Sequence, residues 1–331
     1  MDLSVIFVNW NSADYLRDAV ASVRQHTSGI SYEIIVVDNA SPRGDGESEI
    51  LERQLSDVTL IKSAQNLGFA GANNLGFRQS SGRNILFLNP DTKLTSPAIR
   101  QMLLRLDTLP NAGIVGCKLL NGDLSLQTSC VQTFPTILNQ VLDTDYLRLR
   151  WPNCRLWGTA SLFSQSPDPA EVEVISGACL MIKREVFERV GCFTEDYFMY
   201  AEDLDLCYKV HRAGFRNYYV KEASLIHYGG KSSSPLPATR MKWKAIPRFC
   251  DKYRGRLYGL IFRVVMALTA LGRLSLIAMA SLFRTGSSKR EALQVASAKW
   301  RIILKALLAP AHRDGNAFQQ KSLPARELPQ V

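Results

Sequence analysis

Short apolar runs of strand length alternate with helix-length segments over roughly the first 120 residues. Ile85-Leu86-Phe87-Leu88 is the clearest of them. Such an uninterrupted run reads as a strand buried on both faces, which belongs in a parallel sheet covered by helices. The pattern predicts strands over 3–8, 33–37, 58–62, 84–88 and 113–117, with helices over 15–25, 47–55, 70–79 and 96–109 between them. Ser12 stands where the first helix needs an N-cap. Alternation of this kind predicts a mostly parallel α/β sheet with right-handed crossovers.

The rhythm then breaks. Residues 121–169 are rich in turns and read as a variable, loop-rich insertion, of the kind that often recognises a second substrate. Order returns with an apolar strand over 172–182, a short helix over 184–190 stopped by Gly191, and an amphipathic helix that starts at an acidic cluster and ends near Gly214. Two short strands, 217–220 and 224–227, close a domain that is expected to run from 1 to 236.

Charge changes the picture of the remainder. The net charge of +10 is local: between Arg240 and Lys305 there are 15 Lys and Arg against two acids, Asp251 and Glu291. No helix-turn-helix, zinc or RNA-binding signature accompanies that excess, so no nucleic-acid partner is expected. Interleaved apolar runs point to an anionic membrane surface, met through residues 240–305. The segment 257–283 is interrupted by Arg263, Gly272 and Arg273, so it reads as two amphipathic helices in the membrane interface and not as a span. The basic helical region is expected over 237–308, with a disordered tail over 309–331. Seven scattered cysteines without a C-x-x-C pair, and Asp2 in place of a basic leader, imply a reducing cytosol and no signal peptide.

Candidate chemistry gathers where strands end. Pro90 stops the strand ladder, so Asn89-Pro90-Asp91 delivers a carboxylate to the carboxyl edge of the sheet, where open α/β folds bind ligands. An oxygen ligand there suits a hard divalent cation on nucleotide phosphates. Asp38 ends the second strand at the same edge and offers an acceptor to a nucleobase N–H. The glycines of Asn66-Leu67-Gly68-Phe69-Ala70-Gly71 permit close backbone approach to a nucleotide. Three carboxylates in four residues, Glu202, Asp203 and Asp205, exceed what helix capping requires. His227 ends a late strand.

In this order, Val8-Asn9-Trp10-Asn11-Ser12, Val37-Asp38-Asn39-Ala40-Ser41, Asn66-Leu67-Gly68-Phe69, Leu88-Asn89-Pro90-Asp91, Ser176-Gly177-Ala178, Glu202-Asp203-Leu204-Asp205-Leu206-Cys207 and His227 resemble the motifs of family 2 glycosyltransferases, most of all bacterial rhamnosyltransferase-like members. The resemblance covers about residues 1 to 230. It implies a GT-A fold: a Rossmann-like, mostly parallel central sheet flanked by helices, here with a basic amphipathic helical extension. It also implies inverting transfer of a sugar, rhamnose from dTDP-rhamnose in the first instance, to a hydroxyl of a lipid-linked (polyprenyl diphosphate) saccharide in cell-surface polysaccharide assembly. The enzyme would work from the cytoplasm, peripheral on the inner membrane.

By motif match, Asn9, Asp38, Asn66, Gly68, Asn89 and Asp91 line the donor, with Asp38 on the base. Ser176, Gly177 and Ala178 face the sugar and acceptor. Asp91 takes the last position of a D-x-D type metal motif for Mg2+ or Mn2+, with Asn89 in place of the first acid, and His227 completes the metal site. Asp203 is the general base and Glu202 its neighbour. The rival readings are a catalytically inactive nucleotide-sugar-binding or adaptor protein and a nucleotidyltransferase, which would need a Gly-rich phosphate loop near the first strand.

Overall fold

The computed structural model describes residues 1–42, 51–53, 55–151, 153–158, 162, 168–229, 235–283 and 287–309. In chain order its elements begin with β1 (Leu3–Asn9), α1 (Ala13–His26), β2 (Tyr32–Asp38), β3 (Thr59–Lys62), α2 (Gly68–Arg78), β4 (Asn84–Leu88), β5 (Thr92–Leu94), α3 (Ala98–Thr108) and β6 (Ala112–Leu120). These follow the predicted alternation to within a few residues. Most of the helix expected over 47–55 lies outside the described residues.

The second half contains β7 (Val131–Gln132), α4 (Ile137–Leu142), α5 (Asp145–Arg150), β8 (Ala170–Val172), β9 (Val174–Ile175), β10 (Cys179–Lys183), α6 (Arg184–Arg189), α7 (Glu202–Arg212) and β11 (Arg216–His227). Three long helices follow: α8 (Pro235–Arg254), α9 (Arg256–Phe283) and α10 (Ser287–Leu308). The disordered tail expected after 309 lies outside the described residues.

Among the described residues, one nine-stranded sheet runs β3-β2-β1-β4-β10-β6-β11-β5, with β8 also paired to β11. β1, β2, β3 and β4 are parallel, β10 is antiparallel to both β4 and β6, and β11 is parallel to β6. Six strands therefore share one direction, and the carboxyl ends of β1, β2, β4, β6 and β11 meet the start of β10 at one edge. Strand cores are fully enclosed: Val5, Ile6, Phe7, Ile35, Val36, Ile85, Leu86 and Phe87 are all 0% exposed. That is the physical content of their unbroken apolar runs.

Two expectations are corrected here. The strand over 172–182 is broken into β8, β9 and β10, because three parts of one apolar run pair with different partners: β11, β7, and β4 with β6. The two strands at 217–220 and 224–227 form a single strand, β11, that absorbs a bulge between Val220 and Ser224.

The basic region also differs from its expected form. α9 is a single helix of 28 residues, and Arg256–Leu282 is long and apolar enough to cross a membrane by length and composition. Its interruptions are absorbed. Arg263 makes two bonds to the Asp251 carboxylate of α8, and Arg273 donates to the Val141 carbonyl at 2.9 Å while lying over the Trp300 ring. Gly272 has only open space around it and costs about 1 kcal/mol of helix propensity, which a packed helix tolerates. Trp243, Ile246, Cys250, Phe262, Met266, Ile303 and Leu307 form a second core among α8, α9 and α10.

Candidate active site

Asn9 and Asp38 are direct neighbours at the ends of the parallel pair β1 and β2. Asn9 Nδ2 donates to Asp38 Oδ1 at 3.0 Å, and the Ser41 hydroxyl donates to the same oxygen at 2.6 Å. Both donors fix the plane of a carboxylate that is only 6% exposed. Ser12 does not cap α1 with its side chain. Its N–H and hydroxyl both donate to Asn9 Oδ1, so Ser12 instead orients the amide that holds Asp38.

The loop from Asn66 to Gly68 is organised by Asn39, a residue to which the sequence assigns no role of its own. Asn39 Nδ2 donates to Asn66 Oδ1 at 3.0 Å and to the Gly68 carbonyl at 3.2 Å, while the Leu67 N–H donates to Asn39 Oδ1 at 2.8 Å. Asn66 Oδ1 also accepts from the Gly68 N–H, so this side-chain oxygen shapes the turn. Gly68 has φ +71°, and a Cβ there would sit 2.3 Å from the Phe198 carbonyl oxygen. Only glycine fits both constraints.

The same carbonyl receives the Phe69 N–H at 2.9 Å, tying the start of α2 to the segment that precedes the acidic cluster. Asn74 of α2 grips that segment again, donating to the Phe193 carbonyl and to Glu195 and accepting from the Phe193 N–H. Beneath it, Phe77, Phe87, Phe187 and Phe193 pack with ring centroids 4.8 to 5.4 Å apart. Each such pair adds about 0.5–1.5 kcal/mol beyond the area it buries.

Tyr200 and Ala201 then both adopt left-handed backbone, with φ of 69° and 73°. Two non-glycine residues in that region cost about 1–3 kcal/mol each. The turn launches α7 with Glu202, Asp203 and Asp205 in its first turn, and the three acids have different surroundings. Asp203 is half-buried; Gly177 N–H donates to its Oδ2 at 3.0 Å and Leu204 N–H to its Oδ1 at 2.8 Å. Burial raises its pKa, partly offset by those N–H groups and by Lys242 of α8.

Glu202 is 6% exposed, and its Oε2 has no hydrogen-bond partner among the described residues. Burial first, and the Asp203 charge second, hold its pKa well above the ordinary value, which favours its neutral form. Asp205 is fully buried and fully engaged: Lys252 at 2.7 Å, Tyr253 OH at 2.8 Å and the Thr194 hydroxyl at 2.6 Å. It joins α7 to α8, which leaves Asp203 as the accessible carboxylate of the cluster.

Ser176-Gly177-Ala178 bridges the two acidic centres. Gly177 holds Asp203, and the Asn89 N–H donates to the Ala178 carbonyl at 3.0 Å. Ser176 Oγ accepts from the Ala178 N–H at 3.3 Å, closing the turn. From Asn89 the chain turns through Pro90 to Asp91, which is 6% exposed. His227 Nε2 lies 3.2 Å from Asp91 Oδ1 and 3.3 Å from Asn89 Nδ2. Gln127, to which no motif draws attention, sits 2.7 Å from His227 Nδ1.

Asp91 and His227 present one oxygen and one nitrogen toward each other at a spacing that admits a shared cation, and that donor set fits Mg2+ or Mn2+. No group of three or more His, Cys, Asp and Glu side chains able to hold a metal occurs among the described residues. Two protein ligands fit an ion completed by substrate phosphates.

The sheet order, with its carboxylates and histidine at one carboxyl edge, defines a GT-A fold. It is shared with mannosyltransferase PcManGT from Pyrobaculum calidifontis, solved with GDP-Man and Mn2+, at a TM-score of 0.57 and 16% identity over 92% of this chain and 85% of that one. The protein belongs to glycosyl transferase family 2, whose model matches residues 4–191, more than half of the chain. It is 28% identical over 251 residues to the N-acetylglucosaminyl-diphospho-decaprenol L-rhamnosyltransferase of Mycobacterium tuberculosis (strain ATCC 25618 / H37Rv), covering 72% of this chain and 80% of that one. Rhamnosyltransferase WbbL of Escherichia coli (strain K12) is 25% identical over 250 residues, covering 72% and 88%. The chain also matches 25% of the length of protein y4gI of Sinorhizobium fredii.

Proposed function

We propose that the protein transfers a sugar with inversion from a nucleoside diphosphate donor, rhamnose from dTDP-rhamnose being the best reading, to a hydroxyl of a lipid-linked saccharide. The observation that carries the proposal is Asp203: a half-buried carboxylate with a raised pKa, linked through Gly177 and Ala178 to the Asn89-Pro90-Asp91 turn. A general base needs that combination of reach and basicity.

In this reading Asn9 and Ser41 aim Asp38 at the nucleobase, and the loop shaped by Asn39, Asn66 and Gly68 lets backbone approach the nucleoside. Asp91 and His227 hold the cation, with Asn89 beside them. Bound there, Mg2+ or Mn2+ supplies charge stabilisation to the departing diphosphate. Asp203 accepts the acceptor hydroxyl's proton at Oδ1 or Oδ2 as the new bond forms. The raised pKa of Glu202 disfavours its charged form and so favours placing the negative charge of the pair on Asp203.

A lipid-linked acceptor is supported by the relatives' names and by two surfaces. Leu257, Leu260, Ile261, Val264, Leu268 and Leu271 of α9 are 45% to 72% exposed at helical spacing. The opposite side is pinned to α8, α4 and α10 through Arg263 and Arg273, so α9 lies along the body of the protein. This geometry favours an in-plane, peripheral seat on an anionic leaflet, where each well-placed base adds about 1 kcal/mol. The insertion adds an apolar cavity of about 670 Å³ lined by Leu142, Leu147, Trp151, Leu156 and Trp157, adjoining the Val141 carbonyl that Arg273 grips.

A thermal-shift screen of nucleoside diphosphates with and without Mn2+ tests donor binding, since a ligand bound only by the native state raises the melting temperature. One nucleotide is expected to shift the melt, and only with metal. Turnover of dTDP-rhamnose with a polyprenyl-diphosphate saccharide then tests the sugar. Absence of any metal-dependent nucleotide shift would remove the proposal.

A further inference from the structure

Around His227 the hydrogen bonds form a directed chain that ends on an exposed carboxylate. Asp123 Oδ1 accepts the Ser125 hydroxyl at 2.5 Å and the Ser125 N–H at 3.0 Å. Those two bonds hold the Asp123 pKa below its ordinary value, so this end of the chain is a fixed anion and acceptor. With its proton committed to Asp123, Ser125 Oγ accepts from Asn121 Nδ2 at 2.9 Å. Asn121 must therefore turn its oxygen outward, and Oδ1 accepts from Gln127 Nε2 at 3.0 Å. The His227 carbonyl, 3.5 Å from the same Nε2, reinforces that orientation.

Each link fixes the next, so Gln127 faces His227 with Oε1, an acceptor only. At 2.7 Å from Oε1, His227 Nδ1 must carry the proton. The turn bearing the relay is itself well tied: Asn121 N–H donates to the Ser125 carbonyl, Leu124 N–H to the Asn121 carbonyl and Gln127 N–H to the Leu119 carbonyl.

We infer that Gln127 is a positioning residue that fixes His227 as the Nδ1–H tautomer, so that its Nε2 lone pair is aimed at a divalent cation shared with Asp91. The inference rests on the proposed metal site and adds to it what selects the liganding nitrogen. A bare Nε2 facing Asp91 Oδ1 at 3.2 Å is a meeting of two acceptors, which a cation between them resolves. Asn89 Nδ2, a donor 3.3 Å from Nε2, also fits an unprotonated Nε2 and is displaced from that lone pair when a cation takes it.

The test uses the full chain labelled with 15N-histidine and long-range 1H–15N spectra, the His227 signals being assigned by their loss in His227→Asn. In the wild type, the proton is expected on Nδ1 both without metal and with Mg2+. Gln127→Leu is expected to move it to Nε2 and to weaken Mn2+ binding in the presence of dTDP by roughly 10- to 100-fold. Gln127→Glu, which keeps an acceptor toward Nδ1, is expected to restore the tautomer. Asn121→Leu, remote from the ring, frees Gln127 to turn and is expected to act in the direction of Gln127→Leu if that variant does not fold. A wild-type imidazole protonated on Nε2 alone, or a spectrum unchanged in Gln127→Leu, overturns the inference. Mn2+ binding unchanged in His227→Asn instead overturns the metal site itself, while the tautomer remains readable.

Discussion

Gly177 donates its backbone N–H to Oδ2 of Asp203 at 3.0 Å, joining two residues 26 positions apart at the point where the Ser176-Gly177-Ala178 turn meets the acidic helix. A Cβ on Gly177 would lie 3.4 Å from the Asp203 Cβ, an ordinary van der Waals contact, so the two segments pack closely here. If Asp203 is the base, Asp203→Asn is expected to lower turnover by about 10²- to 10⁴-fold while nucleotide-induced thermal shifts persist. Retention of more than about a tenth of wild-type turnover would move the role elsewhere.

The pH dependence carries a sign. As the proposed base, Asp203 would have to be ionised for transfer, and burial raises the pKa of that carboxyl above its ordinary value of 3.8. Activity is therefore expected to rise with pH along an acid limb lying above that value, and to lose that limb in Asp203→Asn. A pH–rate profile for kcat checks it.

Glu202 predicts a stability effect of opposite origin. Its native carboxyl holds a proton that the unfolded chain gives up above about 4.5, so folding loses stability as pH rises from there toward the raised native pKa. Glu202→Gln removes that loss. The urea midpoint of the variant is expected to gain on the wild type progressively as pH rises above about 4.5, and a constant difference would contradict the assignment.

Gly68→Ala places a methyl group 2.3 Å from the Phe198 carbonyl at a φ of +71°. The expected cost is about 1–3 kcal/mol in urea unfolding, with transfer slowed because the displaced carbonyl leads into Tyr200 and Ala201.

Asp205→Ala leaves Thr194, Tyr253 and Lys252 without their shared acceptor. Removing one partner of a buried ion pair costs about 3–5 kcal/mol, and the lower end is expected because the Lys252 side chain is 39% exposed and regains water. Membrane seating is checked separately: aspartates at Leu260, Val264 and Leu268 are expected to release the protein from anionic vesicles in a sedimentation assay, as is added salt.

Legibility in the sequence tracked the range of each interaction. β4 and Asn89-Pro90-Asp91 were readable because an apolar run buried on both faces ends at a residue that cannot extend the ladder. The run over 172–182 misled because apolar residues report burial and not the identity of the partner strand. In the sequence α9 reads as two helices, because Arg263 and Arg273 look like breaks until Asp251 and the Val141 carbonyl appear opposite them.

The supporting residues were harder still. Asn39 reaches the turn at Asn66 to Gly68 across 27 to 29 positions, and Gln127 reaches His227 across 100. Each is a lone polar residue whose purpose exists only once the sheet has brought its partner near. Motif spacing marks the groups proposed to touch substrate and passes over those that hold them.

The Phe198 carbonyl has a kinetic implication. The same oxygen receives Phe69 N–H, beside the turn proposed for the nucleoside, and stands two residues before the left-handed pair that launches Asp203. With the roles proposed for that turn and for Asp203, a nucleotide settling on the one would bear through this peptide on the other, and a compulsory sequence of arrival, donor before alcohol, is the behaviour such a linkage favours.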